Sequence, residues 1–407
     1  MPLSLTDVDL STPDSFVPGV PFDMFEVLRR EAPVYRHPGR RGPDFWAVTK
    51  YHDVIGVSRD SATFSSAART ALFEEPDAET LSSLQLMMLN MDPPQHTKLR
   101  LLVNKGFTPR MVALMEERIR RATVEVLDAV VRTGGCDFVT DIAAELPLMV
   151  IAEVMGVPVE DRAKVFDWSN RLVGFEDPEY NTSMEGAQEA SMELYAYANR
   201  LAEERRAERR DDLVSVLLEA EVGGEKLTEL EFDLFFLLLA VAGNETTRNA
   251  ISHGMLAFLD YPDQWQRLLA DPSLMPTAIE EILRWASPVM HFRRTCMKDT
   301  EIGGVPIAEG DKVVVWYISG NRDEDVFGPT AMTFDIGRTP NEHIAFGGGG
   351  PHFCLGANLA KLEMRVMFEE LSTRTPDIAL DGDVRRLRSN FINGIKEMPV
   401  RFTPATG

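Results

Sequence analysis

The stretch Phe346-Gly-Gly-Gly-Gly-Pro-His-Phe-Cys-Leu-Gly356 decides how this chain is read. Four consecutive glycines lead to a lone thiol, Cys354, and a helical run follows from Ala357 to Leu371. Glycine lets the backbone turn at positive φ and approach a flat ligand closely. The start of a helix then points free N–H groups at the sulfur and favours the thiolate. A lone thiolate without a second metal-ligating Cys or His at short spacing suits haem iron better than zinc or an iron–sulfur cluster. Free cysteine is more often a small core residue, so the weight of this stretch depends on the residues around it.

Working outward, the chain has 407 residues and a net charge of −22, which argues against general nucleic-acid binding. Its apolar and charged fractions are those of an ordinary globular protein. The three cysteines, Cys136, Cys296 and Cys354, are too few for a disulfide framework and point to a reducing compartment, the cytoplasm. Residues 1–20 lack the basic and apolar regions of a secretory signal. The longest apolar run, near Leu234 to Ala242, is well short of the ~20 residues that span a bilayer, so no membrane anchor is expected.

Helical periodicity dominates. It predicts helices over Pro94–Asn104, Pro109–Arg132, Ala187–Arg209, Asp211–Glu221, Leu227–Tyr261, Met275–Ala286 and Asn358–Arg374. Strand signals are short: Val34–Tyr35, Phe45–Val48, Val305–Ile307, Lys312–Trp316 and Pro399–Phe402. No polar linker divides the chain, so the expectation is one mainly α domain over 1–407 with a small β portion.

Three further motifs carry chemistry. Ala242-Gly-Asn-Glu-Thr-Thr247 puts an acid, two hydroxyls and a glycine inside the most apolar helix, where a carboxyl is costly unless paired or used. The Thr246 hydroxyl can bond a carbonyl one turn earlier. Gly243 would let a flat ligand or O2 approach the backbone beside Ala242, and Glu245 with Thr246 would relay protons. Glu281-Ile-Leu-Arg284 sets an acid and a base three apart on one helical face, with Arg338 as a third member of the network. His96 and Arg100, four apart, together with Arg294 and His352, offer donors for two carboxylates such as haem propionates.

In this order the motifs resemble the cytochrome P-450 superfamily of haem-thiolate monooxygenases, from Trp46-Ala-Val to Ser389-Asn-Phe-Ile-Asn-Gly394. The resemblance implies a triangular, mainly helical fold, with one haem b between a long oxygen-binding helix and the helix after the cysteine. It makes Cys354 the iron ligand, Glu245 and Thr246 the acid–alcohol pair, and Glu281, Arg284 and Arg338 the structural network. Phe346, Gly350, His352 and Gly356 then belong to the haem loop. One departure stands out: the usual loop phenylalanine lies seven residues before the cysteine, whereas Phe346 lies eight before and Gly347 takes the seventh place. That leaves open which ring shields the sulfur, and Phe353 is a candidate to share the task.

The implied activity is insertion of one atom of O2 into a C–H bond, with two electrons from a separate ferredoxin and its reductase. Lys98, Lys105, Arg110, Lys361 and Arg365 form a candidate basic docking face. The motifs look most similar to actinobacterial enzymes that hydroxylate sterol side chains or methyl-branched lipids at a terminal carbon. An apolar pocket fits that likeness. Its candidate lining is Met87 and Met88 in the run Leu84 to Met91, then Phe175, Leu238 and Val241. Val289, Met290, His291 and Phe292 follow, with Phe391 and Ile392 closing the set. Competing expectations are a polyketide or aromatic hydroxylase, or a haem-binding sensor or carrier without turnover.

Overall fold

In a computed structural model, which describes residues 3–39, 42–173, 177–179, 184–222 and 224–405, helices take most of the chain. The helices that position the site are α1 (Tyr51–Arg59), α2 (Gln95–Val103), α3 (Glu145–Met155), α4 (Arg162–Val173), α5 (Met184–Ala207), α6 (Glu229–Asp260), α7 (Met275–Ala286) and α8 (Ala357–Arg374). A five-stranded sheet accompanies them, from β1 (Val34–His37), β2 (Phe45–Val48), β3 (Phe64–Ser65), β4 (His291–Cys296) and β5 (Lys312–Trp316).

Helix α6 is the axis of the molecule. Thr228 starts it with a capping box: its Oγ1 accepts from the Glu231 amide at 3.2 Å, and its own amide donates to Glu231 Oε2 at 2.8 Å. The helix is apolar almost all round and packs on α3, α4, α5, α7 and α8, as a fully internal helix must. The main apolar core forms around it, with Phe258, Trp265, Phe334 and Phe368 at its C-terminal half. Helix α7 has Pro276 in its first turn and stops at Ser287, which takes the left-handed conformation.

The sheet order is β1-β2-β5-β4-β3. β5 runs parallel to β2 and antiparallel to β4, pairing Trp316 with His291. The period of two sorts β5 onto two faces: Val313 and Val315 join one apolar cluster, Val314 and Trp316 another. No described helix is long and apolar enough to cross a membrane.

The expected helix over 109–132 is two helices, Pro109–Ala113 and Glu116–Val130, separated by a turn at Leu114 and Met115. Strand β4 was not expected, because Arg293 and Arg294 interrupt its apolar alternation; both are buried. Helix α3 was also missed, since its continuous apolar run lacks a one-sided stripe.

Candidate functional site

Cys354 lies two residues before Gly356, the N-cap of α8. Its amide donates to the Phe346 carbonyl at 3.0 Å, closing the loop. Gly347, Gly349 and Gly350 all have positive φ, so the loop's path needs glycine there. Cys354 is open to a water-sized probe, yet protein surrounds it on all sides. The two facts agree if the sulfur faces an internal cavity. Burial pushes the thiol above its usual range, while the Gly356 amide and the Arg100 guanidinium pull it back down. A Cβ built at Gly356 meets nothing within 4 Å, so that side of the loop is open. Gly350 serves differently from the expectation of ligand contact: a Cβ there would stand 2.6 Å from the Ser58 carbonyl, so its bareness lets the loop lie on the end of α1.

The Phe346 ring sits 6.4 Å from that of Phe353, with Lys361 Nζ 5.5 Å and His343 5.9 Å away. Phe353 is 43% exposed.

Helix α6 is buried at most positions from Phe232 to Phe258, but Leu238, Val241, Ala242 and Thr246 keep accessible surface and share one face. Thr246 Oγ1 donates to the Ala242 carbonyl at 2.7 Å, the back-bond its position predicts. Glu245 is 1% exposed and turned to another partner. Its Oε2 is bonded by Arg248 Nη2, and Arg248 Nη1 donates to Asn170 Oδ1 on α4 at 3.0 Å. Its Oε1 has no partner among the described residues. Burial raises the Glu245 pKa, and Arg248 offsets part of that. Arg248, three residues after Glu245, is a partner that helical spacing in the sequence allows.

Gly243 corrects the expectation placed on it. A Cβ there would meet Ile151 Cδ1 of α3 at 2.8 Å. The missing side chain lets two helices approach, rather than a ligand.

Four nitrogen side chains gather near the loop. Arg294 is 3% exposed and donates to the Arg293 carbonyl at 2.7 Å; Arg100 donates to the Pro351 carbonyl at 3.2 Å. Neither forms an ion pair among the described residues. The His96 and His352 rings lie 4.3 Å apart, and His352 Nε2 is 3.0 Å from the Met91 carbonyl. Burial lowers the His352 pKa to about 3, and Arg294, His96 and Arg100 add repulsion. Burial also lowers His96 to about 4. Asp92, whose charge reaches His96 and Arg294, is engaged by Ser65 and by the amides of Ser66 and Ala67. Buried guanidinium groups without a counter-charge are costly. A ligand with two carboxylates would supply it, so these residues fit haem propionates as Cys354 fits its iron.

Beneath the loop, Glu281 and Arg284 are fully buried and paired through two contacts of 2.8 Å. Arg338 Nε reaches Glu281 Oε2 at 3.1 Å, and Asn341 and the Asp335 amide complete the carboxylate. Arg284 also donates to the carbonyls of Asn321, Ala331 and Thr333.

The apolar lining divides. Met88, Leu238, Val241, Val289, Phe292 and Phe391 keep partial surface, whereas Met87, Met290, His291 and Ile392 are buried. Met290 belongs to the cluster of Leu10, Phe25 and Trp316. His291 has no accessible surface and lies among Phe73, Trp316 and Phe391. The pleat sends His291 away from the face of Phe292, and Met290, just ahead of the strand, packs into the same cluster as Trp316. Phe175 lies outside the described residues. The expected basic face is smaller than five residues. Lys361 is paired with Glu280, and Arg365 with Glu116 and Glu369. Lys98 and Arg110 are exposed without an ion pair among the described residues; the Lys105 side chain is outside them.

Comparison with known proteins gives the family and the fold. The family profile described as Cytochrome P450 matches residues 44–371. A steroid C26-monooxygenase of Rhodococcus jostii is 46% identical over 98% of this chain and 85% of its own length. A methyl-branched lipid omega-hydroxylase of Mycobacterium tuberculosis is 45% identical over 93% of this chain and 90% of its own. Among solved structures, a Mycobacterium marinum cytochrome P450 in complex with pseudoionone is similar at a TM-score of 0.88 and 44% identity, covering 93% of this chain and 94% of that one. A Bacillus megaterium relative in complex with testosterone is similar at 0.85 and 36%, covering 94% and 98%.

Proposed function

Because the chain belongs to the cytochrome P450 family and is a monooxygenase, we propose that it binds haem b through Cys354 and hydroxylates an apolar, branched substrate at a terminal carbon. The proposed substrate class is a steroid side chain or a methyl-branched lipid, with O2 as co-substrate and electrons from a separate ferredoxin and its reductase. One domain, 1–407, would carry the whole activity, and three free thiols fit a reducing cytoplasm.

One observation carries the proposal: a sulfur open to a water-sized probe yet surrounded by protein, in a loop beside Arg100 and near His352, on which Arg294 acts, with neither guanidinium in an ion pair among the described residues. Arg100 and Arg294 would hold the propionates, with His96 and His352 beside them. When bound, the haem-thiolate supplies O2 activation, the thiolate donating electron density that favours O–O cleavage. The protein's task is to place the substrate and move protons. The Thr246 hydroxyl, held on the Ala242 carbonyl, is the proton donor nearest the accessible face of α6. Glu245 replenishes it. Burial raises its pKa against the pull of Arg248, and leaving Arg248 would free the side chain to turn towards Thr246 and carry a proton there. Leu238, Val241, Val289 and Phe292 exclude water and offer no hydrogen bonds, which supports an apolar ligand. Lys98 and Arg110 are the exposed cations that support docking of an acidic ferredoxin.

The reduced, CO-bound protein should show the red-shifted Soret band that gives the family its name, and Cys354→Ala should abolish it; a band retained in that variant would refute the thiolate ligand. Turnover of cholesterol and of a methyl-branched fatty acid with a surrogate ferredoxin should give terminal alcohols. Spin-state shifts with neither lipid, and no oxygenated product from either, would refute the substrate class.

A further inference from the structure

We propose that Asn321 is a positioning residue that ties the substrate-side segment after α7 to the cysteine loop, an inference that rests on Cys354 being the haem ligand. Nothing in the sequence marks Asn321, which follows β5 and is fully buried. Its Nδ2 donates to Ser287 Oγ at 2.8 Å, and its Oδ1 accepts from the Ile344 amide at 2.7 Å. Its carbonyl accepts from Arg284 Nη1 at 2.8 Å. The Ile344 amide can only donate, so it fixes which way the Asn321 amide points. The ion pair of Arg284 with Glu281 fixes the backbone.

Both ends of this link lead to the site. Ser287 is buried at φ 38° and ψ 65°, a left-handed conformation that L side chains rarely adopt, and no other described non-glycine residue has positive φ. It opens the segment that runs through Val289 to Phe292. The Asn393 amide donates to the Pro288 carbonyl, and the Met290 amide to the Phe391 carbonyl, both at 2.9 Å. That segment is therefore held as one body with the strip around Phe391. At the other end, Ile344 accepts from the Gly347 amide at 3.0 Å, and Phe346 accepts from the Cys354 amide. Two hydrogen bonds through one side chain thus join the substrate-side turn to the start of the thiolate loop. A shift of the turn must either break them or move Ile344.

Ser287→Gly and Ser287→Ala both delete the hydroxyl that anchors Asn321. Glycine tolerates the left-handed backbone and alanine does not, so the pair separates the link from general stability. The readouts are conversion of the CO-bound holoprotein from the red-shifted to the blue-shifted Soret band in dilute urea, and the urea midpoint from circular dichroism. Both variants should convert about fivefold faster than the parent, the factor that corresponds to losing about 1 kcal/mol. Ser287→Gly should unfold at or above the parental midpoint. Parental conversion in Ser287→Gly, or rates that simply follow the midpoints, would overturn the proposal. A parent without the red-shifted band would remove the haem-thiolate ligation, and this inference with it.

Discussion

Replacing Gly243 with alanine tests whether that glycine serves packing. The new Cβ would stand 2.8 Å from Ile151 Cδ1, 2.9 Å from Cγ1 and 3.4 Å from Cβ. Carbon atoms prefer about 3.5–4.0 Å, and Ile151 is 3% exposed with little room to retreat. Overpacking of this kind costs about 1–3 kcal/mol. Alanine in a helix interior returns about 1 kcal/mol relative to glycine. The net expectation is a loss of about 1 kcal/mol. Ile151→Ala alone should lose about 2–5 kcal/mol, because it opens a cavity. In the double variant the new methyl group enters that cavity, so the combined loss should fall short of the sum by about 1–2 kcal/mol. Equilibrium urea unfolding of the four holoproteins measures the cycle, and their CO-bound spectra should coincide. Strict additivity, or a shifted Soret band in Gly243→Ala alone, would show that the glycine faces the ligand after all.

Thr246→Ala should still bind haem and substrate but consume reductant without proportional product; full coupling of reductant to product would refute the proton role. Asp233 in α6 is buried, which pushes its pKa up from 3.8 to about 6. The folded state therefore holds this proton more tightly than the unfolded chain. The stability it gives is complete below pH 3.8 and is lost as pH rises through 6. Asp233→Asn, which cannot ionise, should exceed the parent at neutral pH by up to about 3 kcal/mol, the gain fading towards acid pH; urea midpoints across pH that stay parallel would contradict this. Arg284→Lys should cost about 3–5 kcal/mol, since lysine cannot span Glu281 and three carbonyls at once; near-parental stability and haem content would deny the network its bracing role.

Much of the fold was legible where local signals and tertiary needs coincide. Helix α7 and strands β2 and β5 begin and end where the sequence placed them. The loop Phe346–Gly356 and the pairing of Glu281 with Arg284 could be read from spacing. What escaped depends on partners distant in the chain. Gly243 looked ligand-facing because Ile151, ninety-odd residues earlier, is not a neighbour in sequence. Lys361 and Arg365 looked free until α8 met Glu280 and Glu116. Strand β4 hid behind two arginines whose burial makes sense only once an anion is expected beside one of them. Met290 and His291 were assigned to the pocket by adjacency, but the pleat turns His291 towards Trp316, and Met290, ahead of the strand, joins the same cluster.

The guanidinium groups of Arg100 and Arg294 have a biosynthetic consequence. If they hold the propionates as proposed, the chain would gain stability from its prosthetic group as well as reactivity, since neither forms an ion pair among the described residues. Each newly made molecule would then be in a race between porphyrin capture and degradation. The amount of active enzyme in a cell would track iron and porphyrin supply, even at a constant rate of translation.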